Sequence, residues 1–360
     1  MGELGLLRAL GALGVLGNQV ALQGCASTAT GPIAGPIPDP ADGSDERSSG
    51  QAMFFDAHTG EPLSGRNLTG RVEAARLLLL GEVHDNGFHH RLRARMLLKW
   101  ARVAPGRPAA IVFEHFDREH DEALRLAQRR PKEGQGTDAR LTALLDAADF
   151  DRQSWEWPTH QPLFEAALTS GATWIAANLS RDSAQRLGGN PAMPVDPALQ
   201  AMVDSARWSA EAQQALAQAL IVGHCGTLSA VFIDRIARIQ RLRDAALALP
   251  LMDASERRSV LLAGNGHVRR DFGVPRYLGA LEKEAVVVGF DEVAQAEVPA
   301  REAARVAARS GLAGFIGDDR ARELGEAYDL VCLTTARKRD DRCSAVGVQP
   351  LSPAVPMQTP

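Results

Sequence analysis

The sequence predicts an α/β fold with a mainly parallel central sheet flanked by helices. Three observations predict it. Short continuous apolar runs recur after residue 50, each run stops at a glycine or a polar residue, and longer amphipathic stretches separate the runs. Runs of four to six apolar residues suit strands buried on both faces, and the stretches between them suit the covering helices.

The strand candidates, in order, are Leu77–Leu80 before Gly81, Ala109–Phe113 before Glu114, and Thr173–Ala177 before Asn178. Val260–Ala263 before Gly264, Ala285–Val288 and Leu330–Leu333 complete the set. Helical periodicity marks His89–Val103, Glu119–Arg129, Gln161–Thr169, Ser209–Val222, Val231–Leu249 and Arg301–Ala308. The interval 183–250 is too long and too helical for one crossover. It is therefore expected as a helical insertion between core segments 51–182 and 251–343. Residues 131–137 and 188–197 carry the Gly and Pro of loops, and the Pro-rich stretch 344–360 reads as a flexible tail.

With 360 residues, 45% of them hydrophobic, the chain is neither wholly disordered nor a disulfide-knotted miniprotein. Forty Lys and Arg against 44 Asp and Glu leave a net charge of −4, which gives no electrostatic reason to expect nucleic acid as a partner.

Residues 1–24 read as a targeting segment: Arg8, then a short apolar stretch from Ala9 to Leu22, interrupted by Asn18 and Gln19. The segment ends in Leu22-Gln23-Gly24-Cys25, the pattern of a bacterial lipobox. Lipidation of Cys25 would anchor the chain to a membrane through two or three acyl chains. Residues 25–50 are rich in Gly, Pro, Ser and Asp and read as a disordered tether. The expected location is the bacterial cell envelope, with Ala26 favouring the outer membrane in a Gram-negative cell. In that oxidising compartment a disulfide between Cys332 and Cys343 is expected, closing a short loop worth about 2–3 kcal/mol. Cys225 is then left as a buried thiol.

Chemistry gathers at the ends of the strand candidates. The first is followed by Glu82, His84, His89 and His90, the second by Glu114, the third by Asn178, and the fourth by His267, Arg269 and Arg270. In open parallel sheets functional groups collect beyond the carboxyl ends of the strands. These residues are thus candidates for one rim although up to about 180 residues separate them. Glu82, His84, Glu114 and His267 form the candidate metal set, since mixed carboxylate and imidazole ligands suit zinc or another divalent transition metal. His224-Cys225 reads either as a structural pair beside the pocket or as a cysteine nucleophile. Trp155 and Trp157 read either as core or as walls around a flat ligand. The arginines at 235, 238, 241 and 243 read as a solvated helical face or as carboxylate receptors.

The motifs GEVHDN (81–86), VFEHF (112–116), WEWPTHQPLFEAA (155–167), AANLSRD (176–182), GHCGTL (223–228), QRLRDA (240–245) and GNGHVRRDFGVPRYL (264–278), in this order, resemble the ChaN-like haem-binding lipoproteins. That family sits in a superfamily with Tiki-type proteases and erythromycin esterases. The resemblance implies an α/β core with a helical subdomain, haem as cofactor, a role in haem or iron acquisition at the membrane, and leaves a homodimer open. On this reading His84, His89, His90, Trp155, Trp157, His160, Asn178, His224, His267, Arg269 and Tyr277 are the ligand-binding candidates. His160 stands where the family's W-x-W motif usually continues to a tyrosine, and imidazole is itself a good haem-iron ligand. Two other functions compete. In a metal-dependent hydrolase Glu82 and Glu114 would carry general acid/base chemistry. A non-catalytic envelope scaffold would use none of these groups.

Overall fold

The computed structural model describes residues 52–103, 109–129, 134, 136–190, 192–253, 258–293, 307–339 and 343. The targeting segment, Cys25, the tether, most of the helix expected over 301–308 and the tail 344–360 lie outside the described residues. Seven strands form one sheet: β1 (Ala52–Asp56), β2 (Leu77–Leu80), β3 (Ala109–Asp117), β4 (Thr173–Asn178), β5 (Arg258–Leu262), β6 (Ala285–Val293) and β7 (Leu330–Thr335). Their spatial order is β1-β7-β6-β2-β5-β3-β4. Every neighbouring pair is parallel except β1 with β7. The predicted α/β class is the class observed.

The helices are α1 (Gly65–Ala74), α2 (Gly87–Arg102), α3 (Asp121–Arg129), α4 (Thr137–Ala147), α5 (Gln161–Ser170), α6 (Arg181–Gly189), α7 (Pro197–Ser205), α8 (Ala210–Gly223), α9 (Ala230–Asp253), α10 (Asn265–Val268), α11 (Ala313–Ile316) and α12 (Asp318–Ala327). Strand alternation sends neighbouring side chains to opposite faces of the sheet. Leu78, Leu80, Ile111, Phe113 and Leu262 pack with α1, α2 and α5, while Leu77, Leu79, Val112 and Leu261 pack with α6, α9 and α12. The four leucines of β2 are at most 5% exposed. Each buried Leu contributes roughly 1.5–3 kcal/mol of transfer free energy, which explains why an unbroken LLLL run serves as a central strand.

Between β4 and β5 run α6, α7, α8 and α9. The C-terminal half of α9 is apolar on the inside, with Leu242, Ala246, Leu247 and Leu251 buried against the sheet. Its N-terminal half packs Ile236 with Leu216 and Leu220 of α8 in a smaller cluster. Among the described residues no helix is long and apolar enough to cross a membrane.

The cysteine pairing differs from the expectation. Cys343 is bonded to Cys225, with their Cα atoms 5.4 Å apart, and Cys332 is a free thiol. Two physical facts account for this. Cys332 sits on β7, paired on both sides by β1 and β6, and its side chain is sealed in the core. The chain after β7 does not fold back on that strand. Arg337 and Arg339 instead hold it to Asp85, Glu156 and Glu292. Cys225 is accordingly not a buried thiol but a half-buried disulfide partner, just past the end of α8.

Candidate functional site

Strand order explains the site. β2, β5, β3 and β4 are consecutive neighbours in the sheet, so the residues following them share one rim. Glu82 follows β2, Gly264 and His267 follow β5, Glu114 lies past the middle of β3, and Asn178 closes β4. The register of β3 against β4 shifts between Phe113 and Asp117, at the stretch that carries Glu114 and His115. Such irregularities re-aim side chains at the ends of strands.

Glu82 is the centre of the first group. Its carboxylate lies 3.3 Å from His90 Nε2, 3.5 Å from His115 Nε2 and 3.5 Å from His160 Nε2, and it contacts the Arg93 guanidinium. All five side chains are buried. Asn86 caps α2 by accepting from the Phe88 and His89 amides, which sets His90 and Arg93 one turn apart on the inner face of that helix. His90 Nδ1 donates to the Thr159 carbonyl and His160 Nδ1 to the Trp155 carbonyl. Those two bonds fix the tautomers, because a carbonyl can only accept, so each Nε2 presents a lone pair to the carboxylate. Burial lowers His90 to about 4 and holds His115 and His160 well below the usual imidazole range. Burial also lowers Arg93, to about 9, so it stays a cation at neutral pH. Lone pairs facing a carboxylate repel it unless a cation stands with them, and Arg93 is that cation here. Glu82, His90 and His160 offer three ligand atoms within 4.8 Å of one another, a donor set that fits a divalent ion of zinc type.

The second group is Glu114, His267 and Asp244. His267 Nδ1 donates to Asp244 at 2.6 Å, and its Nε2 lies 3.2 Å from Glu114. Burial alone would lower His267, but the two carboxylates outweigh it and push it up to about 10, so the ring is an imidazolium. Burial pushes Asp244 up to about 6. Glu114 is held well below the carboxylate range although burial works against it. The charges of His267 and His84 and the Gly264 amide prevail. The four residues expected as one metal set thus fall into two groups. Glu82 joins His90 and His160, whereas His267, already protonated on both nitrogens, has no lone pair to give.

His84 lies between the groups. Its Nδ1 is 2.9 Å from Glu82 Oε1, its ring meets Trp155 edge-on at 5.1 Å, and its side chain is 36% exposed. It is the accessible imidazole of the rim. A Cβ on Gly264 would stand 2.7 Å from His84 Nε2, so only glycine lets the β5 end pass beneath that ring. Beside it opens a cleft of about 90 Å³ that includes Glu114, His115, Trp155, Asn178, Arg181 and Arg243 in its lining.

The remaining candidates lie elsewhere or serve the fold. His89 is buried, accepts from the Val83 amide and reaches Thr334 Oγ1 at 2.7 Å, clamping the β2 loop to β7. Trp157 packs against Phe150 and Phe164. His224 closes α8 by bonding the Leu220 carbonyl. Arg269 pairs with Asp271 and Glu323, and Tyr277 is buried in the core on the α9 side of the sheet. Sequence reasoning passes over Arg93 and Asp244, meets His115 only as the neighbour of Glu114, and leaves Arg243 as one of four arginines on a solvated face or at a carboxylate. The signals for Arg93 and Asp244 are faint: an arginine one turn after His90, and an acid within an otherwise apolar stretch of α9.

The model of the haem-binding uptake family, ChaN, of the Tiki superfamily matches residues 68–278, more than half of the chain. The chain belongs to that family. Among solved structures, ChaN of Campylobacter jejuni, described for its cofacial heme binding, is similar at 17% identity and a TM-score of 0.59, covering 80% of this chain and 98% of that one. An erythromycin esterase, EreC, in its open conformation is similar at 12% identity and a TM-score of 0.37, over 81% of this chain and 98% of that one. A Bacillus cereus protein follows at 13% identity and a TM-score of 0.36, over 74% and 90%. Comparison with curated protein sequences gives no match.

Proposed function

We propose that the protein binds haem at this rim, with His84 as the axial ligand, and serves haem or iron acquisition from a lipid anchor at Cys25. The observation that carries the reading is His84 itself. Its Nδ1–H is braced by the Glu82 carboxylate, which leaves the ring's lone pair on Nε2, and the side chain is 36% exposed. Carboxylate bracing of the far nitrogen is the usual support of a metal-binding imidazole, and histidine is a common haem ligand. His160, the other axial candidate, is 1% exposed and turned towards Glu82. A cleft of about 90 Å³ is too small to enclose a haem, and a second copy of the chain would cover the exposed remainder. The cofacial heme of the Campylobacter jejuni relative supports that arrangement. The Cys225–Cys343 disulfide suits the oxidising compartment that a lipidated envelope protein occupies. The test is titration of the purified full chain with haemin. A saturable Soret shift is expected, lost or moved in His84→Ala and kept in His160→Ala. A shift untouched by His84→Ala overturns the ligand assignment, and no saturable shift at all overturns the function.

One observation favours a second reading, a metal-dependent hydrolase: the buried Glu82, His90 and His160 donor set. Zinc added to the metal-stripped chain is expected to bind at one equivalent, and His90→Ala to abolish that binding. Stoichiometric zinc retained by His90→Ala, or none bound by the wild type, removes this reading.

A further inference from the structure

Asp117 and Asn178 are the last residues of β3 and β4 and stand opposite each other in the register of that pair. Partners on neighbouring parallel strands carry their side chains on one face, with the strands about 4.8 Å apart. Both residues line the cleft beside Trp155, and both are acceptors without a donor. Asn178 is 9% exposed, and its Oδ1 is buried with no hydrogen-bond partner. Asp117 precedes the helical turn 118–120 but does not cap it through its side chain. Among the described residues its carboxylate accepts no hydrogen bond and makes no ion pair. Acceptors in that condition are unfavourable until a donor enters the cleft to meet them.

The charge of the cleft calls for the same kind of visitor. Its lining holds the carboxylates of Glu114, Asp117, Asp149 and Asp151 against the guanidinium groups of Arg181 and Arg243. Three of the four acids have support of their own. Glu114 is held by the Gly264 amide and His267. Asp151 accepts from the Gln153 and Ser154 amides, and Asp149 faces His120 at 3.6 Å. The arginines are spoken for as well. Burial lowers Arg243, and Glu114, ahead of Asp117 and Asp244, draws it back up. Arg181 acts on Asp151, where its charge works against burial. Asp117 is left over. Burial and then Glu119 push it up to about 6 against the pull of Arg243, so it is mostly ionised at neutral pH.

We propose that Asp117 and Asn178 form a receptor for a guanidinium group carried by a ligand that reaches the rim. A guanidinium is a planar cation with several N–H donors, so it serves two neighbouring acceptors at once. Trp155 adds an aromatic wall, which favours a cation further. A cleft of about 90 Å³ has room for one small group of this kind. The inference goes beyond the haem and hydrolase readings and rests on neither. Its signature is a preference for a cation with N–H donors over a neutral group of the same shape and over a cation that has no N–H.

The experiment titrates the purified full chain with methylguanidinium, with the isosteric neutral methylurea and with tetramethylammonium, and reads binding by saturation-transfer NMR of the ligands. The wild type is expected to bind methylguanidinium saturably and to favour it over each of the others by roughly tenfold or more, the usual worth of a charge-assisted hydrogen bond. In Asp117→Asn, which removes the charge and keeps the shape, the preference over methylurea is expected to fall to about one. Asp204→Asn, an acid on α7 that accepts from Gln200, is expected to keep the wild-type preference. A wild type without saturable methylguanidinium binding, or with no preference over methylurea, overturns the receptor without any variant having to fold. An unchanged preference in Asp117→Asn overturns it too, because the cation then binds elsewhere. Equal binding of tetramethylammonium removes the hydrogen-bonding role of the two acceptors and with it the proposal. Calcium that binds at one equivalent and expels methylguanidinium makes the cleft a metal site and also overturns it. None of these outcomes bears on whether the chain binds haemin or zinc.

Discussion

Replacing Arg93 by methionine is expected to lower stability by about 3–5 kcal/mol, read as a shift of the urea midpoint. The substitution removes the Arg93 cation beside Glu82 and leaves a buried carboxylate facing the lone pairs of His90 and His160. The loss is mainly electrostatic, because methionine keeps most of the packing volume against the sheet. Two further measurements separate this account from a simple packing defect. The double variant Arg93→Met with Glu82→Gln is expected to recover much of the loss, since the uncompensated charge goes with the glutamate. Zinc is expected to stabilise Arg93→Met more than the wild type, because the vacated position lies beside three convergent ligand atoms. A midpoint within 1 kcal/mol of the wild type would mean that the carboxylate is satisfied by some other group.

The contrast between Arg93 and Glu82 shows what a sequence makes legible. Glu82 stands out because a run of four leucines ends at Gly81 immediately before it, and strand ends in parallel sheets collect function. The same logic reaches Glu114, Asn178 and His267, and strand order then places all four on one rim. Arg93 lies in the middle of α2, where an arginine in a periodic stretch normally faces water, and its inward direction depends on where α2 packs. His115 is masked in another way. Beside Glu114 at the end of a strand it would alternate to the opposite face, and the shift in the β3 register lets both take part in the rim. Asp244 comes from α9, whose tilt over the sheet no local pattern encodes, and the same tilt decides which of that helix's four arginines turns inward. The division of the candidate metal residues into two groups is likewise a matter of protons. His267 becomes an imidazolium because two carboxylates flank it, and only tertiary structure brings Asp244 there.

The pairing of the cysteines is the second large effect expected. Non-reducing proteolysis and mass spectrometry should recover Cys225 and Cys343 in one linked peptide pair, with Cys332 alkylated only after denaturation, because burial seals it and raises its pKa well above the usual thiol range. Cys225→Ser is expected to lower stability by about 2–4 kcal/mol, as a bond closing 118 residues of sequence separation restricts the unfolded chain strongly. The location of the bond decides how that loss appears. Among the described residues of the strap before Cys343, Ala336 donates to the Val293 carbonyl, and Arg337 and Arg339 make ion pairs with Asp85, Glu156 and Glu292. Partly exposed pairs of this kind contribute about 0–1 kcal/mol each, too little to hold an end segment by themselves. The strap should therefore open before the sheet does, and trypsin should cut after Arg337 and Arg339 in the reduced protein while sparing the oxidised one. Equal cleavage in both states would show that the ion pairs suffice. A lowered global midpoint without faster cleavage would place the whole effect in the unfolded chain. Asp85 follows His84 directly, and Glu156 lies between Trp155 and Trp157. Opening the strap therefore frees both loops that border the proposed haem ligand, and reduced protein should bind haemin more weakly than oxidised protein even where its sheet remains folded.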